Sequence, residues 1–133
     1  MDVGKVFRPD EMAFVTRGNG IRSLPLATPE NCSQLLTGFT EIPPGQEIPM
    51  HFHNTEEFIL VVSGAATVSI DGAEHDVAAG DATLVLPGIH HRYVNTGDEP
   101  LRILWVYGDP ATTRTLISTG ETLGHLDPYP TGD

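Results

Sequence analysis

The segment PMHFHNTEEF, residues 49–58, combines residue types that bind divalent metal ions. It contains His51 and His53 one residue apart, followed by Glu56 and Glu57. The prolines that precede and interrupt the segment argue against a helix. Alternate residues of a strand share a face, so the two histidines would point the same way with Cα atoms about 6.6 Å apart, close enough to reach one ion.

A second cluster lies in GDATLVLPGIHHRYVN, residues 80–95, where His90 and His91 follow a Pro-Gly turn at the start of another strand. An isolated HxH pattern is usually a partly exposed pair beside a solvated strand edge. Two clusters in one small chain favour a metal site instead. Strand parity does not decide which glutamate takes part, because Glu56 and Glu57 would lie on opposite faces.

The elements that must position these residues are predicted to be short strands. Fourteen glycines and eleven prolines separate brief alternating apolar runs, and helical periodicity is scarce. Asp71-Gly72 supplies the positive φ angles of a tight hairpin turn. The recurrence of turn signals predicts an all-β sandwich or barrel. The predicted strands are 13–17, 21–26, 33–42, 46–53, 57–64, 65–70, 73–78, 82–87, 90–95 and 101–108.

The length of 133 residues fits one domain, 1–133, with enough buried surface for a real core. We expect the core barrel to span about 13–108. The segment 109–133 mixes Gly, Pro, Thr and acidic residues, so it is interpreted as a C-terminal extension that either covers the barrel wall or forms a free tail.

The formal net charge of -11 would repel nucleic acid and anionic membrane surfaces, so neither is an expected partner. The single cysteine, Cys32, has no second cysteine for an internal disulfide, which favours a reducing compartment. The first residues lack an apolar signal-peptide core, and no run of 18 apolar residues is present. A cytoplasmic protein is expected.

Two predicted strands, EFILVVSG and LRILWVYG, are apolar on both faces, although an antiparallel strand with one wet face should alternate. The face of these strands that points away from the core must therefore be covered. Either the N-terminal segment or a second subunit could cover it, and we favour a homodimer.

Two motifs give the chain its resemblance to small single-domain cupins. The first, G(X)5HXH(X)3,4E(X)6G, is matched at every position by Gly45, His51, His53, Glu57 and Gly64. The second, G(X)5PXG(X)2H(X)3N, is matched by Gly80, Gly88, His91 and Asn95. It departs at Leu86, which stands where the motif has proline, but Pro87 follows and should preserve the turn.

The resemblance implies an all-β jelly-roll barrel of two antiparallel sheets that holds one divalent ion. It assigns the ligands as His51, His53, Glu57 and His91, and so selects Glu57 over Glu56 and His91 over His90. This ligand set suits Fe(II) or Mn(II) first, with Ni, Co, Cu or Zn also possible, and disfavours calcium. Its residual positive charge should attract an anionic or enolisable small molecule.

Tyr93 and His90 are the candidate catalytic residues. Tyr93 shares a strand face with His91, so its phenol could donate to a bound oxygen or relay a proton, or could simply pack in the core. His90 lies either at the pocket mouth or in an ordinary turn. Trp105 and Tyr107 share a face, so one of them could form pocket wall.

The resemblance supports a metal-dependent enzyme, and our first hypothesis is a dioxygenase-type oxygenase acting on a small enolisable, hydroxy-acid or keto-acid substrate. The alternative is an isomerase, decarboxylase or lyase that uses the ion as a Lewis acid without oxygen. A non-catalytic binding protein is the third reading. His75, expected at the surface or filling the sheet, and His125, in the C-terminal extension, are not expected to be ligands.

Overall fold

A computed structural model describes residues 3–125 and 127, and in this part of the chain the secondary structure is almost entirely β. A single 3₁₀ turn spans Pro9–Glu11. None of the described residues belongs to a helix long and apolar enough to cross a bilayer. The strands are β1 (Val15–Gly18), β2 (Ile21–Pro25), β3 (Leu36–Ile42), β4 (Glu47–His53), β5 (Glu57–Ser63), β6 (Ala65–Ile70), β7 (Ala73–Ala78), β8 (Ala82–Val85), β9 (His91–Val94), β10 (Leu101–Tyr107), β11 (Thr113–Leu116) and β12 (Thr122–Gly124).

The strands form two six-stranded antiparallel sheets. The first sheet has the order β1-β2-β3-β10-β5-β8, and the second has the order β12-β11-β4-β9-β6-β7. Neighbours in each sheet come from distant parts of the chain, as when β10 pairs with both β3 and β5. The prediction of an all-β barrel of two antiparallel sheets is confirmed.

The core lies between the sheets because the strands alternate apolar residues toward it. In β10, Leu101, Ile103, Trp105 and Tyr107 are all buried, whereas the residues between them are partly exposed. The neighbouring strand β3 of the same sheet shows the same alternation. Both Trp105 and Tyr107 therefore point inward, and β10 supplies much of one wall of the interior.

The predicted hairpin between β6 and β7 is present. Asp71 has φ of 50° and Gly72 has φ of 84°, so both central residues adopt the left-handed conformation that a tight antiparallel turn requires. The register runs from Ile70 opposite Ala73 to Ala65 opposite Ala78.

Two parts of the fold differ from the sequence-based strands. β3 begins at Leu36 rather than at residue 33, because residues from Thr28 form a turn in which the Cys32 amide donates to the Thr28 carbonyl. The described part of the C-terminal extension is not a free tail. Its β11 pairs with β4, the strand that carries His51 and His53, and therefore covers the barrel.

Gly38 in β3 is predicted to be essential for packing. A Cβ at this position would lie 2.5 Å from the Trp105 ring and 2.6 Å from the Leu24 carbonyl oxygen. We expect Gly38→Ala to lower the free energy of unfolding by about 1–3 kcal/mol, measured by urea denaturation, because neither neighbour can move freely. Gly4→Ala, where no atom lies within 4 Å, is the control. Equal stability of the two variants would contradict the packing argument.

Candidate metal centre

Four buried side chains from both sheets meet in the interior. His51 and His53 lie on β4, and His91 begins β9, directly opposite His51 in the register. Glu57 begins β5 in the other sheet. None of the four is more than 4% exposed. The structure thus brings together the complete ligand set that the motif resemblance implied.

One ligand atom from each of the four residues falls within 4.8 Å of all the others. His53 Nε2 lies 3.1 Å from His51 Nε2 and 2.9 Å from Glu57 Oε2. His91 Nε2 lies 3.3 Å from the same carboxylate oxygen. Atoms bound at right angles to one ion, each about 2.1 Å from it, are about 3.0 Å apart, so these spacings fit a transition-metal ion.

Backbone carbonyls fix the tautomers of all three histidines. A carbonyl oxygen can only accept, so each Nδ1 must carry a proton and a neutral ring then has its lone pair on Nε2. The Nε2 atoms consequently present lone pairs to a common centre. The acceptors are Pro49 O for His51 at 2.6 Å, Thr113 O for His53 at 2.9 Å and Ile89 O for His91 at 2.8 Å.

The pKa values of His51, Glu57 and His91 are shifted by burial and by their mutual contacts. Burial, together with the neighbouring His91 and His53, lowers the pKa of His51 to about 3, so its imidazole is neutral near neutral pH. Burial by itself disfavours the Glu57 carboxylate, but its close contacts with the His53 and His91 imidazoles hold its pKa well below the usual value. Burial likewise opposes protonation of His91, yet its contact with Glu57 raises its pKa overall. One anionic oxygen ligand therefore faces three imidazoles.

One oxygen of the buried Glu57 carboxylate lacks a hydrogen-bond partner among the described residues. Glu57 Oε2 accepts a hydrogen bond from the Tyr107 hydroxyl at 2.9 Å, which orients the carboxylate. Glu57 Oε1 is buried and has no hydrogen-bond partner among the described residues. An uncompensated carboxylate oxygen in the interior is costly, and a divalent ion would compensate it. The donor set therefore fits a resident metal ion.

A cavity of about 10 Å³ adjoins the ligands, which is room for about one water molecule. Ile48, Ile59 and Ile103 supply apolar wall, and Tyr93 and Tyr107 also line it. Tyr93 is 1% exposed and its hydroxyl lies 2.7 Å from Thr83 Oγ1. Burial raises the pKa of Tyr93, so the phenol stays protonated.

The structure places His90 and Glu56 away from this cavity. His90 is exposed, and its ring stacks on Phe52 with centroids 5.6 Å apart. Glu56 is exposed, and its backbone carbonyl accepts from the Gly108 amide. His75, on β7, is exposed as expected. A catalytic role for His90 stays a prediction without support from the cavity geometry.

The remaining motif positions shape the turns around the centre. Asn95 is buried, and its side-chain amide donates to the Ile42 and Glu99 carbonyls at 2.9 and 2.8 Å. The turn after Leu86 forms despite the missing proline. Gly88 adopts φ of 79°, and its amide donates to the His53 carbonyl at 3.0 Å. The Asn95 contacts anchor the end of β9, which carries His91. The Gly88 contact anchors the end of β4, which carries His53.

His125 was missed by sequence reasoning. It follows β12, is 6% exposed and lines the cavity with the ligand residues. Its ring packs against Tyr107 with centroids 4.2 Å apart and lies 5.7 Å from the His53 ring. Burial lowers the pKa of His125 well below the usual value, and His53 adds to the effect. No local spacing marks it, because its neighbours are threonine, glycine and leucine.

Comparison with known proteins agrees with this geometry. The cupin domain family matches residues 38–107, more than half of the chain. The chain belongs to the cupin family. Protein SchB from Streptomyces halstedii is 31% identical over 112 residues, which cover 84% of this cupin and 76% of the relative. Polyketide synthase CurC from Streptomyces cyaneus is 28% identical, with 84% and 68% coverage.

Two further matches cover different fractions of the proteins compared. Gentisate 1,2 dioxygenase 1 from Aquipseudomonas alcaligenes is 27% identical over 117 residues, which are 87% of this cupin but 32% of that protein. The solved structure of the polyketide cyclase RemF from Streptomyces resistomycificus superposes with a TM-score of 0.73 at 20% identity, covering 89% of both chains. The latter likeness establishes the fold alone.

The ligand assignment predicts that substitution of a ligand weakens metal binding, whereas substitution of the residue next to it does not. Glu57→Gln and His91→Ala should each weaken metal binding more than about 100-fold, since even outer-sphere partners of a metal contribute about 10–100-fold. Glu56→Gln and His90→Ala should retain stoichiometric metal. Metal content after anaerobic purification, with circular dichroism to verify folding, distinguishes the pairs. Equal metal content within either pair would refute the assignment.

Proposed function

We propose that this cupin is a metal-dependent enzyme that activates a small enolisable carbonyl compound. The observation that supports the proposal is the convergence of three Nδ1-protonated imidazoles and one carboxylate on a single point beside the cavity. When bound, the ion would act as a Lewis acid that polarises a substrate carbonyl. Fe(II) or Mn(II) is the metal we propose.

The chain's own residues suit such a substrate. Tyr93 presents a protonated phenol to the cavity, and Thr83 can rotate its hydroxyl to accept or donate, so the phenol proton is available to a substrate oxygen. Tyr107 holds the Glu57 carboxylate in place. The isoleucine walls exclude water, which strengthens hydrogen bonds and charge interactions inside.

Two relatives of which this chain spans more than two thirds are named as polyketide synthase proteins, which favours carbonyl chemistry. CurC is named as a polyketide synthase, and 68% of its length is covered. A polyketide carries repeated carbonyl groups with acidic α-protons, so proton transfer next to a carbonyl is its characteristic reaction. We therefore rank an oxygen-independent enolisation, leading to isomerisation, cyclisation or elimination, first.

An oxygenase is the second candidate. It is the function that the sequence first suggested, and it is favoured by the similarity to a gentisate 1,2 dioxygenase. It ranks lower because the match covers 32% of that protein. An oxygenase would use the same metal centre but would consume dioxygen.

Deuterium exchange tests the proposal without knowledge of the natural substrate. Metal-loaded protein under nitrogen in deuterated water should accelerate α-proton exchange of 2-keto or 3-keto acids, followed by nuclear magnetic resonance. Glu57→Gln should abolish the acceleration, Glu56→Gln should retain it, and Tyr93→Phe should reduce it at least about tenfold, as for loss of a general acid. Exchange no faster than in metal-free protein would overturn the proposal.

The same samples opened to air decide between the candidates. Oxygen uptake that requires metal and a keto acid, without anaerobic exchange, would establish the oxygenase instead. Tight substrate binding without exchange or uptake would indicate a non-catalytic binding protein.

We also propose that the chain forms a homodimer through an apolar face of the first sheet. Phe14 from the N-terminal segment stacks on Arg22 at 4.2 Å and so covers the β2 side of that sheet. The described residues leave the opposite end of the sheet uncovered, and β8 is its edge strand. We call this uncovered side the β5–β8 face. Its exposed apolar residues are Phe58 at 42%, Val62 at 41%, Leu84 at 61% and Leu86 at 53%.

A second copy suits this face because its large apolar side chains lie exposed on or next to β5 and β8, where Phe58 pairs with Leu84. We expect analytical ultracentrifugation to show a dimer at micromolar concentration and Leu84→Glu to give a folded monomer. Val3→Glu, at a position 99% exposed and outside the face, should remain dimeric. A monomeric wild-type protein would refute the interface.

A further inference from the structure

The imidazole of His125 is a buried polar group without a function in the ligand set. It is 6% exposed, and neither ring nitrogen has a hydrogen-bond partner among the described residues. It lies outside the group of four atoms that could hold the ion. Buried side-chain nitrogens are nearly always hydrogen-bonded, so these two require an explanation.

The position of His125 is fixed from both sheets. Its carbonyl accepts from Arg17 Nη2 and Arg114 Nη1, each at 2.6 Å, and its amide donates to the Thr112 carbonyl at 3.1 Å. Arg17 lies on β1 and Arg114 on β11, and both are fully buried. The backbone of His125 is thus held on both sides, which places its ring at a defined point of the cavity wall.

Packing alone does not account for a histidine here. The ring packs edge-on against Trp105 at 4.6 Å and tilted against Tyr107 at 4.2 Å between centroids. A phenylalanine would fill the same space and would bury no unpaired nitrogen. Leaving a polar group unpaired in the interior is destabilising, so the nitrogens are better explained by a partner that arrives with the ligand.

We infer that His125 hydrogen-bonds an oxygen of the substrate beside the metal centre, and that it selects carboxylate or enolate ligands. The inference rests on the proposed function. The cavity of about 10 Å³ between His125 and the ligand residues has room for about one water or ligand oxygen atom. A neutral imidazole donates from one nitrogen and accepts at the other, so it can bind an anionic oxygen and a neighbouring hydroxyl.

Formate tests this role because it is the smallest carboxylate. Co(II)-loaded wild-type protein is titrated with formate and followed by its visible absorption, alongside His125→Phe and His125→Gln. We expect His125→Phe to weaken formate binding at least about tenfold, since a hydrogen bond to a charged group is lost. His125→Gln keeps an N–H donor and should restore most of the affinity. His75→Phe, at an exposed position, should match wild type.

Two further measurements separate binding from folding. Cobalt affinity should be the same in all four proteins, because His125 is not a ligand. Without formate, His125→Phe should melt a few degrees higher than wild type, because it removes an unpaired buried polar group. A purely structural histidine would show the opposite shift.

The outcomes distinguish this inference from the proposed function. If cobalt binds but formate affinity is unchanged in His125→Phe, or if formate does not bind wild type, the role of His125 is wrong and the metal centre stands. If wild type does not bind cobalt, the proposed function and the inference both fail.

Discussion

The candidate metal centre depends on three imidazole rings that backbone carbonyls hold in a fixed orientation. Each Nδ1–H is donated to a carbonyl, so each Nε2 lone pair is directed to the same point, where the Glu57 carboxylate also lies. Lone pairs and a carboxylate in a buried space repel one another and have given up hydration. A cation at their centre makes the arrangement favourable. The metal centre is therefore built into the backbone geometry of the barrel.

The jelly-roll topology makes this possible because it brings distant segments into register. β4 lies between β9 and β11 in the second sheet. β9 contributes His91, whereas β11 contributes the Thr113 carbonyl that fixes His53. Glu57 enters from the first sheet and Tyr107, also from that sheet, orients it. Both sheets are needed for the site, so loss of either sheet's packing should also disrupt the ligand geometry.

The sequence predicted which four side chains would converge because their spacing within each motif is local. Alternation on one strand places His51 and His53 together, and the two motifs identify Glu57 and His91, which strand parity alone did not. Ten strands were predicted near their observed positions because glycine and proline mark their ends. The all-β class followed from the same pattern.

What the sequence did not reveal depends on contacts between distant segments. β11 and β12 lie in a stretch of threonine, glycine and proline whose alternation is weak, so their strand character comes from the pairing of β11 with β4 and of β12 with β11. The carbonyl of His125 is held by Arg17, 108 residues earlier, and by Arg114. No pattern within the C-terminal segment encodes either contact, and a cavity wall assembled in this way becomes visible only in three dimensions.

Anomalous diffraction from crystals of the Co(II)- or Zn(II)-loaded protein tests the central claim most directly. The account predicts one strong peak about 2.0–2.3 Å from the Nε2 atoms of His51, His53 and His91 and from a carboxylate oxygen of Glu57. A peak on Nδ1 atoms, on other residues, or absent from the interior of a fully loaded crystal would contradict it.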